Sequence, residues 1–157
     1  AELKMRARAV GTCLAQKVSP RMPVPVLMEK SVNAIYSFMG AVYGGCFYVL
    51  LDPKLPSQRL RQILDTLKAR VLVADLKYKK QLDGLGFEGV VIDIEEALKT
   101  QEAPVLLEQI RSQRLDIDPL YANFTSGPSI QTFHYICKTF YLTTSLPVLQ
   151  AFQKAWW

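Results

Sequence analysis

The sequence predicts an α/β fold in which a mostly parallel sheet is flanked by helices, and three observations support this prediction. Short apolar segments alternate with stretches of helical periodicity through most of the chain, as in successive βαβ units. Residues 46–51 form a continuous apolar run, which is typical of a strand buried on both faces of a parallel sheet. Half of the 157 residues are hydrophobic and 21% are charged, a composition that supports one domain with a sizeable core and is unlike that of a disordered chain.

The first third of the chain predicts two helices and a strand between them. Apolar residues at helical spacing between positions 3 and 14 indicate an amphipathic helix that ends near Val18. Residues 23–28 read as a short buried strand, in which Pro23 and Pro25 favour the start of a strand or a sheet edge over a central position. Ser31 is expected to cap a second helix, which Gly44 closes before the apolar strand 46–51.

The middle of the chain continues the alternation. Pro56 leads into a third helix, and the pattern then predicts a strand at 70–75, a short helix at 77–82, a strand at 89–93 and one or two helical turns at 95–99. Residues 101–118 read as a long connection with a possible helical segment. Four residues of the third helix are expected to face the core: Leu60, Ile63, Leu64 and Leu67.

A polar loop follows the apolar, aromatic run near residue 120. Tyr121 and Phe124 lead directly into Thr125, Ser126 and Gly127. Ligands of α/β proteins bind beyond the carboxyl ends of the strands, and two hydroxyls with a glycine suit a phosphate because Gly lets backbone amides approach it. The alternative is an ordinary strand-to-helix turn, because Ser and Thr also favour turns and caps.

Composition and charge exclude several classes of function. The formal net charge is +5, but the basic residues are scattered, so we expect no nucleic-acid partner. No apolar stretch reaches the ~18 residues of a membrane span, and no signal-peptide pattern is present. Three widely spaced cysteines without metal-ligand spacing indicate a reducing, cytoplasmic location. The sequence begins without Met and within a helical pattern, so we expect a fragment.

A resemblance to a known family rests on residues 44–60 and 124–127. The first segment has a helix ending in Gly, a strand running to Asp52-Pro53, and Pro56-x-x-Arg59-Leu60 opening the next helix, an order that resembles adenylate-forming (AMP-binding) enzymes. The second segment is similar to the opening of that superfamily's phosphate-binding signature. In particular, residues 1–127 resemble the front part of amino-acid adenylation domains, as in nonribosomal peptide synthetases and D-alanine–carrier protein ligases. The resemblance implies a partial N-terminal subdomain of such an enzyme.

The resemblance also implies an activity. It implies an ATP-dependent ligase that activates an amino or other carboxylic acid as an acyl-adenylate and transfers it to a carrier-protein thiol, with ATP and Mg²⁺ as cofactors. Thr125, Ser126 and Gly127 would be the phosphate-loop positions, supported from the strand by Tyr121 and Phe124. No catalytic residue and no metal ligand is assigned. An acyl-CoA-forming member of the same superfamily is an alternative, because the pocket that would distinguish the two is not in the sequence.

The likeness stops after Gly127. The family continues Ser/Thr-Thr-Gly-x-Pro-Lys-Gly, whereas Pro128 removes an amide donor and the next lysine is Lys138. Phosphates need several converging amides and a cation. We therefore expect this 157-residue chain to lack adenylation activity. The alternative is a non-enzymatic remnant or interaction module that keeps only the fold.

Residues 128–157 form a divergent, aromatic-rich tail of unknown origin that ends in Trp156 and Trp157. One interpretation is a helix or two packing over the otherwise open sheet, since exposed tryptophans would present a large apolar surface. A second is a frameshift, an alternative exon or a gene-prediction error. Asp52 is interpreted as a structural cap of its turn, and the acidic pairs at 95–96 and 116–118 as solvated residues.

Overall fold

A computed structural model describes residues 2–124 and the backbone of residues 133–137. The elements in chain order are α1 (Glu2–Ala15), β1 (Pro23–Leu27), α2 (Val32–Tyr43), β2 (Phe47–Leu51), α3 (Ser57–Leu67), β3 (Val71–Ala74), a 3₁₀ turn (Leu76–Tyr78), α4 (Lys79–Leu85), β4 (Val90–Asp93), α5 (Ile94–Ala97), α6 (Pro104–Ser112), β5 (Pro119–Phe124) and β6 (Phe133–Cys137). None of the helices in this described part is long and apolar enough to cross a membrane.

The strands form one sheet in the order β4-β3-β1-β2-β5-β6. The first five strands of that order are parallel, and β6 is antiparallel to β5. Buried residues of α1, α2 and α5 pack on one face, here called the α1/α2 face, and those of α3 and α4 on the other, the α3/α4 face. This arrangement confirms the predicted α/β fold with a mostly parallel, helix-flanked sheet.

Local patterns predicted several details correctly. The Ser31 side chain accepts a hydrogen bond from the Ala34 amide and caps α2. The inward residues of α3 are buried as predicted: Leu60, Ile63, Leu64 and Leu67. The predicted connection 101–118 contains α6, which begins with Pro104, a residue whose missing amide costs nothing at a helix start. Helix α1 ends at Ala15, although a bond from the Val18 amide to the Leu14 carbonyl continues its turns to the predicted boundary.

The position of β1 bears out one of the two alternatives drawn from its prolines: Pro23 is the first residue of the strand, as expected, whereas the other alternative, a sheet edge, is wrong. The strand is central and lies between β2 and β3. Its whole length pairs with β2, but only Val26 and Leu27 pair with β3. Pro23 and Pro25 thus fall where β1 has a neighbour on one side only, so a proline without an N–H can be accommodated there.

Helices α1 and α2 approach each other closely through glycine. A Cβ placed on Gly40 would lie 2.6 Å from Val10 Cβ and 3.2 Å from the Ala7 carbonyl oxygen, both in α1. The contact brings the buried Val10, Leu14 and Phe38 together over the sheet. Gly40 is therefore required by the distance between the two helices.

The beginning of β5 is held by an ion pair whose carboxylate is buried and whose arginine is half-exposed. Arg21 Nε donates to Asp118 Oδ1 at 2.8 Å, the Leu115 amide donates to Asp118 Oδ2 at 3.0 Å, and Arg114 Nε lies 4.0 Å from the same Oδ2. Asp118 is only 6% exposed, so the expectation that it is solvated is wrong: its partner Arg21 is far away in sequence. The hydrogen bond from Arg21, above all, lowers the pKa of Asp118.

We predict that Gly40→Ala lowers the free energy of unfolding by about 2 kcal/mol, because the added methyl group overpacks the α1–α2 contact. The matched change Gly84→Ala, in α4 where a Cβ would meet nothing within 4 Å, should raise it by about 0.5 kcal/mol through higher helix propensity. Urea unfolding followed by circular dichroism measures both. Equal effects of the two changes would contradict the close packing at Gly40.

We predict that Asp118→Asn lowers the free energy of unfolding at pH 7 by about 2 kcal/mol, because hydrogen bonds to a charged carboxylate are lost. Since the folded pKa of Asp118 is lowered, its contribution is complete above the unfolded pKa of about 3.9. It disappears as pH falls from there through the folded pKa. The free energies of unfolding of the parent and the variant should therefore differ by a constant amount from pH 7 to about pH 4 and converge as pH falls further.

The control for that experiment is Asp65→Asn, which changes an exposed carboxylate on α3. It should alter the stability difference little at any pH. A pH-independent cost of Asp118→Asn would show that the side chain acts by packing and not through its charge.

Candidate functional site

The carboxyl ends of the five parallel strands meet at one edge of the sheet, here called the carboxyl edge. Strand β5 ends there at Phe124, immediately before the predicted phosphate-loop residue Thr125, and the adjacent β2 ends at Leu51. Ligands of open α/β sheets bind beyond this edge. Residue 124 therefore lies at the edge of the sheet where the sequence predicts a binding loop.

Strand β5 is paired with a neighbouring strand on each side and is packed on each face of the sheet. It pairs with β2 through Tyr121 and Ala122 and with β6 on its other side. The Tyr121 ring stacks on Tyr48 of β2 at a centroid distance of 5.6 Å, and Tyr48 stacks on Phe38 of α2 at 4.4 Å. Phe124 packs against the opposite, α3/α4 face. The two aromatic residues expected to support the loop thus hold the strand on opposite faces of the sheet.

The loop positions lie outside the described residues. This applies to Thr125, Ser126 and Gly127, and also to Pro128 and Lys138. Their assignment to a phosphate-binding loop stays a prediction. What the structure adds is the direction and the anchoring of the strand that leads to them.

A cluster of charges lies on another part of the carboxyl edge. Lys77 Nζ is 3.4 Å from Glu29 Oε2 and 3.3 Å from Asp75 Oδ2. Glu29 follows β1 and Asp75 follows β3, so the cluster joins two neighbouring strands. The pKa of Lys77 is raised, chiefly by its hydrogen bond to Asp75. The positive charge of Lys77 is thus already engaged by two carboxylates.

Sequence reasoning missed this cluster. The available signal was that Glu29 and Asp75 each lie next to the end of a predicted strand, where side chains converge at one edge of a parallel sheet. The pairing of the two strands through Lys77 depends on the strand order, which does not follow the sequence.

Asp52 has the structural role that the sequence predicted. It is exposed, its Oδ1 accepts a hydrogen bond from the Lys54 amide at 2.9 Å, and its carbonyl accepts one from the Leu55 amide at 3.0 Å. These bonds close the turn after β2. Among the described residues, no group of three or more His, Cys, Asp or Glu side chains could hold a metal ion.

Comparison with known sequences identifies the family. The family model described as AMP-binding enzyme matches residues 1–128. The chain is 33% identical over 132 residues to the nonribosomal peptide synthetase anaPS of Neosartorya fischeri, covering 81% of this chain and 5% of that protein. It is 30% identical over 110 residues to the nonribosomal peptide synthetase dtpA of Aspergillus flavus, covering 70% and 4%. The chain thus spans a small part of the length of these relatives.

Solved structures show the same fold. The nonribosomal peptide synthetase FmoA3, in its α-methyl-L-serine-AMP bound form, superposes with a TM-score of 0.71 at 21% identity, covering 87% of this chain and 15% of that one. A structure from a study of fatty acyl-adenylate ligases of E. coli and L. pneumophila gives a TM-score of 0.70 at 20% identity, covering 86% and 25%. The family match, the relatives and the shared fold together show that the chain belongs to the AMP-binding, adenylate-forming enzymes and resembles the N-terminal part of nonribosomal peptide synthetase adenylation domains.

Proposed function

We propose that this chain is the front part of an ATP-dependent ligase that activates an amino or other carboxylic acid as an acyl-adenylate for transfer to a carrier-protein thiol. One observation supports this most: the anchored β5 leads to Thr125 at the carboxyl edge of a sheet shared with adenylate-forming enzymes. The identity of 30–33% to nonribosomal peptide synthetases favours an amino acid as the substrate class.

In this proposal Thr125, Ser126 and Gly127 contact the phosphates of ATP. The two hydroxyls donate hydrogen bonds to phosphate oxygens, and Gly127 lets backbone amides come close to them. Bound Mg²⁺ would neutralise part of the phosphate charge. The role of β5 is to hold the start of this loop in place, through the stacking of Tyr121 on Tyr48 and the packing of Phe124.

The described residues near this edge fit ATP only in part. The position is suitable, but the ammonium group of Lys77 is engaged by Glu29 and Asp75. Mg²⁺ lacks a cluster of protein ligands in the part of the chain that the structure describes. Binding of magnesium–ATP would therefore depend on the loop residues 125–127, and we propose that this chain binds it weakly.

A second candidate is a non-enzymatic remnant or interaction module. The observation that favours it is the departure from the family signature after Gly127, where Pro128 removes an amide donor and the next lysine is Lys138. The family signature has a lysine and a glycine-rich bend after this position. A phosphate-binding loop that lacks both cannot stabilise the charge that develops during adenylate formation. We accordingly propose that the 157-residue chain does not catalyse adenylation by itself.

The test is titration calorimetry of the folded 157-residue chain with magnesium–ATP, beside pyrophosphate exchange with a panel of amino acids. We expect weak, saturable binding and no exchange. Ser126→Ala should weaken binding by about tenfold, the lower end of what one hydrogen bond to a charged group contributes. The control Ser112→Ala changes an exposed hydroxyl in α6 and should leave binding unchanged.

The outcomes separate the candidates. Amino-acid-dependent exchange would contradict the proposed loss of activity and would support a complete enzyme. Absence of ATP binding, with the chain still folded by circular dichroism, would contradict the phosphate-loop assignment and favour the interaction module.

A further inference from the structure

An apolar cavity lies at the opposite end of the sheet from the carboxyl edge. It has a volume of about 300 Å³ and is enclosed by the end of α2, by α6 and by the start of β5. Its apolar lining consists of Val42, Tyr43, Leu107, Leu115 and Leu120. We call this space the α2–α6 cavity.

The arginine side chains around the α2–α6 cavity already have hydrogen-bond or ion-pair partners. Arg111 Nη2 donates to Glu108 Oε1 at 2.7 Å, and Arg8 Nε lies 2.5 Å from Glu102 Oε1 in an ion pair without hydrogen-bond alignment. Arg114 donates to the carbonyl oxygens of Val42 and Pro119, at 3.0 and 3.3 Å. Each of these three arginines already has a partner, and the rest of the lining is mainly apolar, which suits an apolar occupant.

Other apolar side chains near the cavity-lining residues in sequence are exposed. Leu115 is 55% exposed and Ile117 is 72% exposed, both in the loop that leads into β5. Met39, 37% exposed, lies one turn before Val42 on α2. Covering exposed apolar side chains stabilises a protein by removing them from water.

The last described strand of the chain, β6, ends close to the α2–α6 cavity. Strand β6 runs antiparallel to β5, and its last residue, Cys137, pairs with Pro119, the first residue of β5. Leu120, which lines the cavity, falls in the register irregularity between Pro119 and Tyr121. The described backbone of β6 therefore ends, at Cys137, opposite the residue that precedes Leu120.

The sequence from that point is strongly apolar. Residues 138–157 carry only two charged side chains, Lys138 and Lys154. Their apolar residues are Phe140, Tyr141, Leu142, Leu146, Val148, Leu149, Phe152, Trp156 and Trp157, with Ala151 and Ala155. A segment joined to the same chain competes at an effective concentration in the millimolar range, which a second protein molecule rarely reaches.

We propose that the α2–α6 cavity is the docking site for residues 138–157 of the same chain, whose aromatic and aliphatic side chains pack against Val42, Leu115 and Leu120. The tail then stabilises the fold at the end of the sheet away from the carboxyl edge. This inference is independent of ATP binding and of adenylation.

Tryptophan fluorescence tests the proposal, because Trp156 and Trp157 are the two tryptophans of the chain and both lie in the tail. In the 157-residue protein we expect emission at shorter wavelength, and weaker quenching by acrylamide, than in the urea-unfolded chain. Leu115→Asp places a carboxylate on the half-exposed cavity wall. It should shift the emission to longer wavelength and increase the quenching.

The matched control is Val32→Asp, since Val32 is 60% exposed and lies at the other end of α2. It should leave emission and quenching unchanged. If circular dichroism shows that Leu115→Asp unfolds the protein, Leu115→Ser provides the same test with a smaller change. Sedimentation of the parent protein at several concentrations reports whether the shielding is intramolecular.

Three results would overturn the proposal. The first is parent emission and quenching equal to those of the unfolded chain. The second is shielding that survives both substitutions of Leu115, which would place the tail elsewhere. The third is shielding that is lost on dilution together with a dimer, which would show that a second copy of the chain covers the cavity.

Discussion

The pairing of β5 with β2 is the constraint on which the rest of the structure depends. Residues 52–118 lie between the two strands in sequence and build α3, β3, α4, β4, α5 and α6 before the chain returns to the sheet. Closing so long a loop costs entropy, which the contacts of β5 must offset. Two contacts contribute: Tyr121 within β5 stacks on Tyr48, and Asp118, immediately before the strand, pairs with Arg21.

Because β5 is fixed in this way, its two ends lie near different kinds of residues. At the carboxyl edge the chain leaves at Phe124 toward a polar, glycine-containing sequence. At the other end it is surrounded by arginines engaged in ion pairs and by exposed aliphatic side chains, including Leu115 and Ile117. This difference underlies the two proposals, a polar ligand at the first end and an apolar segment at the second.

At the carboxyl edge, charged side chains that follow β1 and β3 form ion pairs. The fold places a backbone exit where phosphates bind in related proteins of this architecture. Lys77, however, forms ion pairs with both Glu29 and Asp75, which follow β1 and β3. Because Lys77 is engaged in this way, the phosphates of the proposed ligand would be bound by the loop after β5. The sequence of that loop departs from the family signature at Pro128.

The sequence alone determined the features that depend on neighbouring residues. The leucines of α3, the Ser31 cap, the turn at Asp52 and the buried strand β2 were predictable because helical and strand periods and caps are local. The family resemblance at residues 44–60 was equally readable, since it rests on the spacing of Gly, Asp-Pro and Arg-Leu along the chain.

Only the tertiary structure decided the features that join distant segments. The central position of β1, with its prolines beside a single neighbour, follows from the register of three strands. The burial of Asp118 depends on Arg21, and the engagement of Lys77 depends on Glu29, each far away in sequence. Such contacts form between residues that no local period relates, because strand order is set by which faces and edges can be buried together.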